Sequence, residues 1–170
     1  MRPNLPRIPV VSPAAFTAEQ AALAGKWRDL NFARMMVNHP ALYRVFLPFG
    51  EKLMGGSNLP HRDREILVLR TVGLCNEAYE AAHHLLMARN AGLTDAEIEA
   101  AKSGSGELTP SDQMLVKAAE ELVEQRCLSD ETWRVLSERY TVAQMIELIF
   151  LVGNLTMLSM LTNSLGMPTD

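Results

Sequence analysis

The stretch from Arg62 to Glu97, RDREILVLRTVGLCNEAYEAAHHLLMARNAGLTDAE, decides how this chain is read. It divides into two helices. The first, Arg62 to Cys75, begins after Pro60 and carries Glu65 in its opening turn, ahead of the apolar run Ile66, Leu67, Val68 and Leu69. The second spans about Asn76 to Ala91, and Gly92 follows it as the left-handed residue that commonly ends a helix. It carries Glu77, Tyr79, Glu80, His83 and His84. At about 3.6 residues per turn, Glu77, Glu80 and His84 fall on one face, each within reach of the next. Three ionisable groups therefore share one stripe, while His83 lies about 100° further round, at the surface or an interface.

Outward from this pair the rest of the chain also reads helical, and no alternating strand pattern is present. Ser12 or Thr17 caps a first helix to about Trp27, and Phe32 to Val37 forms a short second one. His39-Pro40 opens a helix that ends at Gly55-Gly56. Thr94 with Glu97 makes a capping box for a helix to about Ala101. Ser103-Gly104-Ser105-Gly106 is a flexible spacer, too short to separate domains. Thr109-Pro110 opens a helix to about Arg126, Ser129 caps another to Arg139, and Thr141 caps the last, to about Leu165. The expectation is a single all-α domain over residues 1–170, a bundle of about seven or eight helices, with residues 1–12 as an extended arm set by Pro3, Pro6 and Pro9.

Composition bounds the partners. Apolar residues make up 48% of the chain and charged ones 21%, the balance of a globular protein with a substantial core. A net charge of −4 with no block of like charge argues against nucleic acid and anionic membrane, which call for a basic patch. The first eleven residues lack the apolar stretch of a signal peptide. Cys75 and Cys127 are too far apart in sequence for a redox Cys-x-x-Cys pair, so both are expected as free thiols in a reducing compartment, the cytoplasm. Both are read mainly as small apolar core residues, and Cys75, just ahead of the second helix, only secondarily as a reactive thiol.

The last helix is read as buried. Leu148 to Leu161 has no charged residue, but its fourteen positions fall short of the roughly 18 that a membrane span needs, and Asn154, Thr156 and Ser159 interrupt it. A helix apolar on most faces is buried on most faces, and in a small bundle part of that burial is expected from another subunit.

At the Glu65 to His84 cluster the chain resembles the carboxymuconolactone decarboxylase family, which includes the alkylhydroperoxidases of the AhpD type. Members show a glutamate after an arginine, then eleven residues, then either Cys-x-x-Cys-x-x-x-His in a peroxidase branch or Tyr-Glu-Trp-x-x-His in a second branch. Here Glu65 takes the glutamate position, Glu77 and Glu80 stand where the cysteines would be, and His84 takes the histidine. Tyr79, Glu80 and His84 match the second branch, with Ala81 in place of its tryptophan. The run Ala88 to Thr94, the segment Leu128 to Trp133 and the helix from Gly153-Asn154 to Gly166 are similar to the same branch. The resemblance implies an AhpD-like homo-oligomer, whether dimer, trimer or hexamer. It also implies a site of Glu65, Tyr79, Glu80 and His84, with Glu77 as an additional member.

A carboxylate beside an imidazole fixes its tautomer and raises its basicity, which suits acid-base work near neutral pH. Two neighbouring carboxylates repel, so one of them holds a proton that it can donate. Decarboxylation of a β-keto or vinylogous acid asks for little more than this and needs no cofactor. The expected function is therefore cofactor-independent decarboxylation or lactone processing of a small cyclic or β-keto organic acid. His84 is the proton donor or base, Glu65 its orienting partner, and Glu80 and Tyr79 complete the relay. Apolar residues to line a pocket would come from Phe46, Phe49, Leu53, Leu69 and Met87, or from a neighbouring subunit.

Three alternatives stand beside this. A thiol peroxidase needs the two cysteines that Glu77 and Glu80 replace, and carboxylates cannot do that redox chemistry. A di-iron site would use Glu80-Ala81-Ala82-His83 as a Glu-x-x-His element, but neither His39 nor His61 supplies the second, so no metal is expected. A non-catalytic ligand-binding or oligomeric protein is the serious rival, because Ala81 replaces the branch tryptophan. On that reading Glu80 and His84 are an ordinary i, i+4 pair.

Overall fold

The computed structural model describes residues 3–170, so Met1 and Arg2 of the expected arm lie outside the described residues. Among them there are nine α-helices and no strand. They are α1 (Ala18–Ala24), α2 (Asn31–Met36), α3 (Pro40–Met54), α4 (His61–Leu74), α5 (Tyr79–Asn90), α6 (Asp95–Ser103), α7 (Pro110–Glu124), α8 (Asp130–Ser137) and α9 (Val142–Leu165). The local signals hold where side chains cap backbone. Thr17, Thr94 and Thr141 each form a capping box, and Ser129 accepts from the Thr132 N–H. The first helix is shorter than expected because Gly25 turns the chain at φ 48°. The fifth starts three residues late because Asn76 adopts a left-handed conformation, φ 49°, which asparagine tolerates better than most residues.

Helix α4 is the centre of the molecule: α5, α6, α7 and α9 all pack against it. Its nine buried residues include not only Ile66 to Leu69 but also Asp63, Arg64 and Glu65. The α4–α6 approach depends on Gly73, where an added Cβ would sit 2.2 Å from the Lys102 carbonyl oxygen. A second, smaller apolar cluster joins α1, α2 and α3 around Tyr43, Val37 and Ala33. The arm from Pro3 to Ser12 is not helical and is tied down: Arg7 N–H donates to Leu165 O at 2.9 Å and Val11 N–H to Arg34 O at 3.1 Å.

Helix α9 is long and apolar enough to cross a membrane by length and composition alone, and half of its most apolar window is buried inside this fold. It is not buried all round. Val142, Ile146, Ile149, Phe150, Met157 and Met160 form an exposed stripe along it, and Phe150 meets the half-exposed Phe49 of α3 edge-on at 6.1 Å.

Candidate functional site

Glu65 projects from α4 and His84 from α5, and the packing of these two helices brings Glu65 Oε2 to 2.6 Å from His84 Nδ1. Neither group meets solvent: Glu65 is 0% exposed and His84 2%. On its other oxygen Glu65 accepts from Arg64 Nη2 at 3.0 Å, and His61 Nε2 lies 3.5 Å away. Burial alone pushes the Glu65 carboxyl up, but the hydrogen bond and charge of His84, with those of Arg64, outweigh it and hold the carboxyl below its ordinary value. An ionised Glu65 can only accept, so the His84 Nδ1 carries the proton and its Nε2 faces the other way.

On that other side stands Glu80, one turn earlier on α5, with Oε2 3.9 Å from His84 Nε2. This is too long for a hydrogen bond and leaves Nε2 open to another partner. Burial drives the Glu80 carboxyl above its ordinary value, and the negative charges of Glu77 and Asp170 add to the rise, against the pull of His84 and His83. One carboxyl below its usual range and one above it therefore flank a single imidazole.

The remaining expected site residues are placed differently. Glu77 is not a free member of the cluster: its carboxylate accepts from the backbone N–H groups of Tyr79 at 2.9 Å, Glu80 at 2.7 Å and Ala81 at 3.4 Å, and from Thr162 Oγ1 at 2.8 Å. Its side chain caps the start of α5 and ties it to α9. Tyr79 leaves the relay, because its hydroxyl donates to Asp170 Oδ2 at 2.7 Å and accepts from Phe32 N–H at 3.2 Å. His83 is partly exposed, as a surface residue would be, and its Nε2 lies 2.9 Å from the same Asp170 oxygen. Among the described residues, no three His, Cys, Asp or Glu side chains converge as a metal ion would require. Both cysteines are unpaired thiols, but neither is a core residue: Cys127, in the turn after α7, is exposed and Cys75 only partly buried.

His61 and Asp170 were not picked out by the sequence. His61 had a signal, since it precedes Glu65 by one turn on α4; Asp170, 91 residues from Tyr79, had none. Of the residues expected to line a pocket, Leu53 and Leu69 are core residues; a separate open cleft of about 250 Å³ lies between the arm, the start of α5 and the segment after α9, beside Pro6, Glu77, Tyr79, Thr162, Gly166 and Met167.

Residues 40–120, which hold Glu65, Glu77, Glu80 and His84, match the sequence model of the carboxymuconolactone decarboxylase family. The fold is similar to that of the AhpD alkylhydroperoxidase core from Ralstonia eutropha JMP134, an uncharacterised peroxidase-related protein. The TM-score is 0.81 at 16% identity, over 100% of this chain and 94% of that one. It is also similar to a protein of unknown function from Agrobacterium tumefaciens with a proposed AhpD antioxidant-defence role. There the TM-score is 0.68 at 15% identity, over 79% of this chain and 94% of that one. At such identities these likenesses establish an AhpD-like fold. A search of curated proteins finds no match.

Proposed function

We propose that this chain, which belongs to the carboxymuconolactone decarboxylase and AhpD-like superfamily, is a cofactor-independent acid-base enzyme acting on a small cyclic or β-keto organic acid, with decarboxylation as the reaction. The observation that carries the reading is the 2.6 Å contact between His84 and Glu65, both sealed from water, with Glu80 across the ring at 3.9 Å. A structural histidine needs one partner. This one has an ionised carboxylate fixing Nδ1 and a carboxyl inclined to keep its proton beyond Nε2, the pairing of unlike acids that marks acid-base sites.

In the reaction, the bond between the carboxylate carbon and its α-carbon breaks, and the electron pair passes into the conjugated carbonyl as carbon dioxide leaves. The enolate is then protonated at carbon by the His84 Nε2–H, and the imidazole regains that proton from Glu80 or water. Glu65 holds the Nδ1–H, stabilises the imidazolium until it gives up its Nε2 proton, and keeps the ring aimed. The test is a screen of β-keto acids and unsaturated lactone acids for release of carbon dioxide, run beside an assay of hydroperoxide consumption with a dithiol. Release without peroxidase turnover supports the reading, and a thiol-dependent peroxidase would replace it.

Self-association belongs to the same proposal. The exposed stripe of α9 continues through Phe49 onto α3, and each leucine-sized side chain buried there contributes about 1.5 to 3 kcal/mol, so several suffice for a stable oligomer of identical chains.

A further inference from the structure

The residues that the relay leaves aside form a site of their own. Tyr79, His83 and the backbone of Asn31 surround one carboxylate, the side chain of Asp170. Its Oδ2 accepts from Tyr79 Oη at 2.7 Å and lies 2.9 Å from His83 Nε2, and its Oδ1 accepts from the Asn31 N–H at 2.6 Å. The donors are fixed before the carboxylate arrives. Tyr79 is 3% exposed, its oxygen already accepts from Phe32 N–H, and its hydroxyl proton is thereby directed at the carboxylate. The Tyr79 and His83 rings stand edge to face at 4.8 Å. Three donors on two oxygens are what recognition of a carboxylate asks for, and a phenol buried without such an acceptor would be costly.

We propose that Tyr79, His83 and the Asn31 amide form a carboxylate-binding site, that Asp170 fills it as an internal ligand, and that the carboxylate of a small organic acid takes its place when the segment after α9 lifts away. Besides Asp170, the segment is held by Met167 N–H, which donates to Thr162 O at 3.0 Å, and by Asn31 Nδ2, which donates to Pro168 O at 3.3 Å and Thr169 O at 3.2 Å, bonds that break as it lifts. It turns at Gly166, φ 65°, has no regular structure from Met167 to Asp170, and borders the 250 Å³ cavity that Tyr79 also lines. Its removal joins this cavity to the donors. The site also communicates with the relay, because the charge of Asp170 acts on the Glu80 carboxyl and favours its protonated form. An acid bound there would keep Glu80 ready to donate. The choice of an organic acid as the external ligand rests on the proposed function; the existence of the site does not.

An internal carboxylate on so short a lead acts at an effective concentration on the order of millimolar, so a free acid competes poorly until Asp170 is removed. The experiment titrates the full chain and its Asp170→Ala variant with benzoate, by calorimetry and by the NMR signals of the His83 ring. The variant is expected to bind at least about tenfold more tightly, and Tyr79→Phe or His83→Gln in the Asp170→Ala background to reverse most of that gain. Equal binding by the full chain and Asp170→Ala overturns the proposal, as does binding indifferent to Tyr79 and His83. If Asp170→Ala melts too low to titrate, saturating benzoate on the unaltered chain must shift the Asp170 signals, and their constancy is the negative result. His84→Ala separates the two readings: it removes turnover and leaves benzoate binding unchanged.

Discussion

His84 lies between two carboxyls that the fold treats in opposite ways, Glu65 at 2.6 Å from Nδ1 and Glu80 at 3.9 Å from Nε2. Glu65 is reached across a helix interface, and the imidazole and Arg64 hold its carboxyl below the ordinary value; Glu80 comes from the same helix, and burial and its acidic neighbours push its carboxyl above it. The asymmetry gives the ring a direction: proton held on one side, proton traffic on the other.

Glu65→Gln keeps the shape and removes the charge, so it isolates the hydrogen bond to a charged group, worth roughly 1.5 to 3 kcal/mol. Because the folded carboxyl is held below its ordinary value, its contribution is present above the usual carboxylate range and is lost as pH falls through the folded value. Urea unfolding of the two proteins should show the variant less stable at neutral pH, with the difference closing at acidic pH.

Glu80→Gln has the opposite sign. A carboxyl raised by folding contributes most below its ordinary unfolded value and loses that contribution as pH rises through the folded value. Melting temperatures compared from mildly acidic to neutral pH should move steadily in favour of the variant. A difference independent of pH would mean that Glu80 ionises as an exposed residue does.

Gly73→Ala tests the central packing. Alanine is favoured over glycine inside a helix by about 1 kcal/mol, but the added Cβ would meet the Lys102 backbone oxygen at 2.2 Å, and a backbone carbonyl cannot swing aside. The clash should dominate and destabilise by about 1 to 3 kcal/mol, read from the urea midpoint.

Phe150→Glu tests assembly. The side chain is half-exposed on the α9 stripe and contributes little to the chain's own core, so helicity should be retained while light scattering reports a fall from an oligomer to a single chain. An unaltered chain that already scatters as a monomer at micromolar concentration removes this part of the account.

What was legible in the sequence is what is local. Thr17, Thr94, Ser129 and Thr141 announce helix starts because capping involves residues three apart, and the Glu65 to His84 spacing carries the family pattern. Asn76 broke the reading of α5 because its left-handed turn depends on how the chain re-enters the core. Glu77 shares the stripe by periodicity and Tyr79 belongs to the family pattern, yet one is consumed by backbone capping and the other is drawn away by Asp170. The cavity joins Pro6, Tyr79 and Gly166, three distant segments, and no window of sequence contains it.

The measurement that bears most directly on the central claim is the rate of carbon dioxide release by the unaltered chain and by His84→Ala, on an acid found active in the screen, with folding of the variant verified by circular dichroism. The account predicts a loss of about a hundred to ten thousand-fold, with Glu65→Gln nearly as damaging and the double variant little worse than His84→Ala alone. A folded His84→Ala protein that turns over at the unaltered rate would contradict it and make His84 a structural residue.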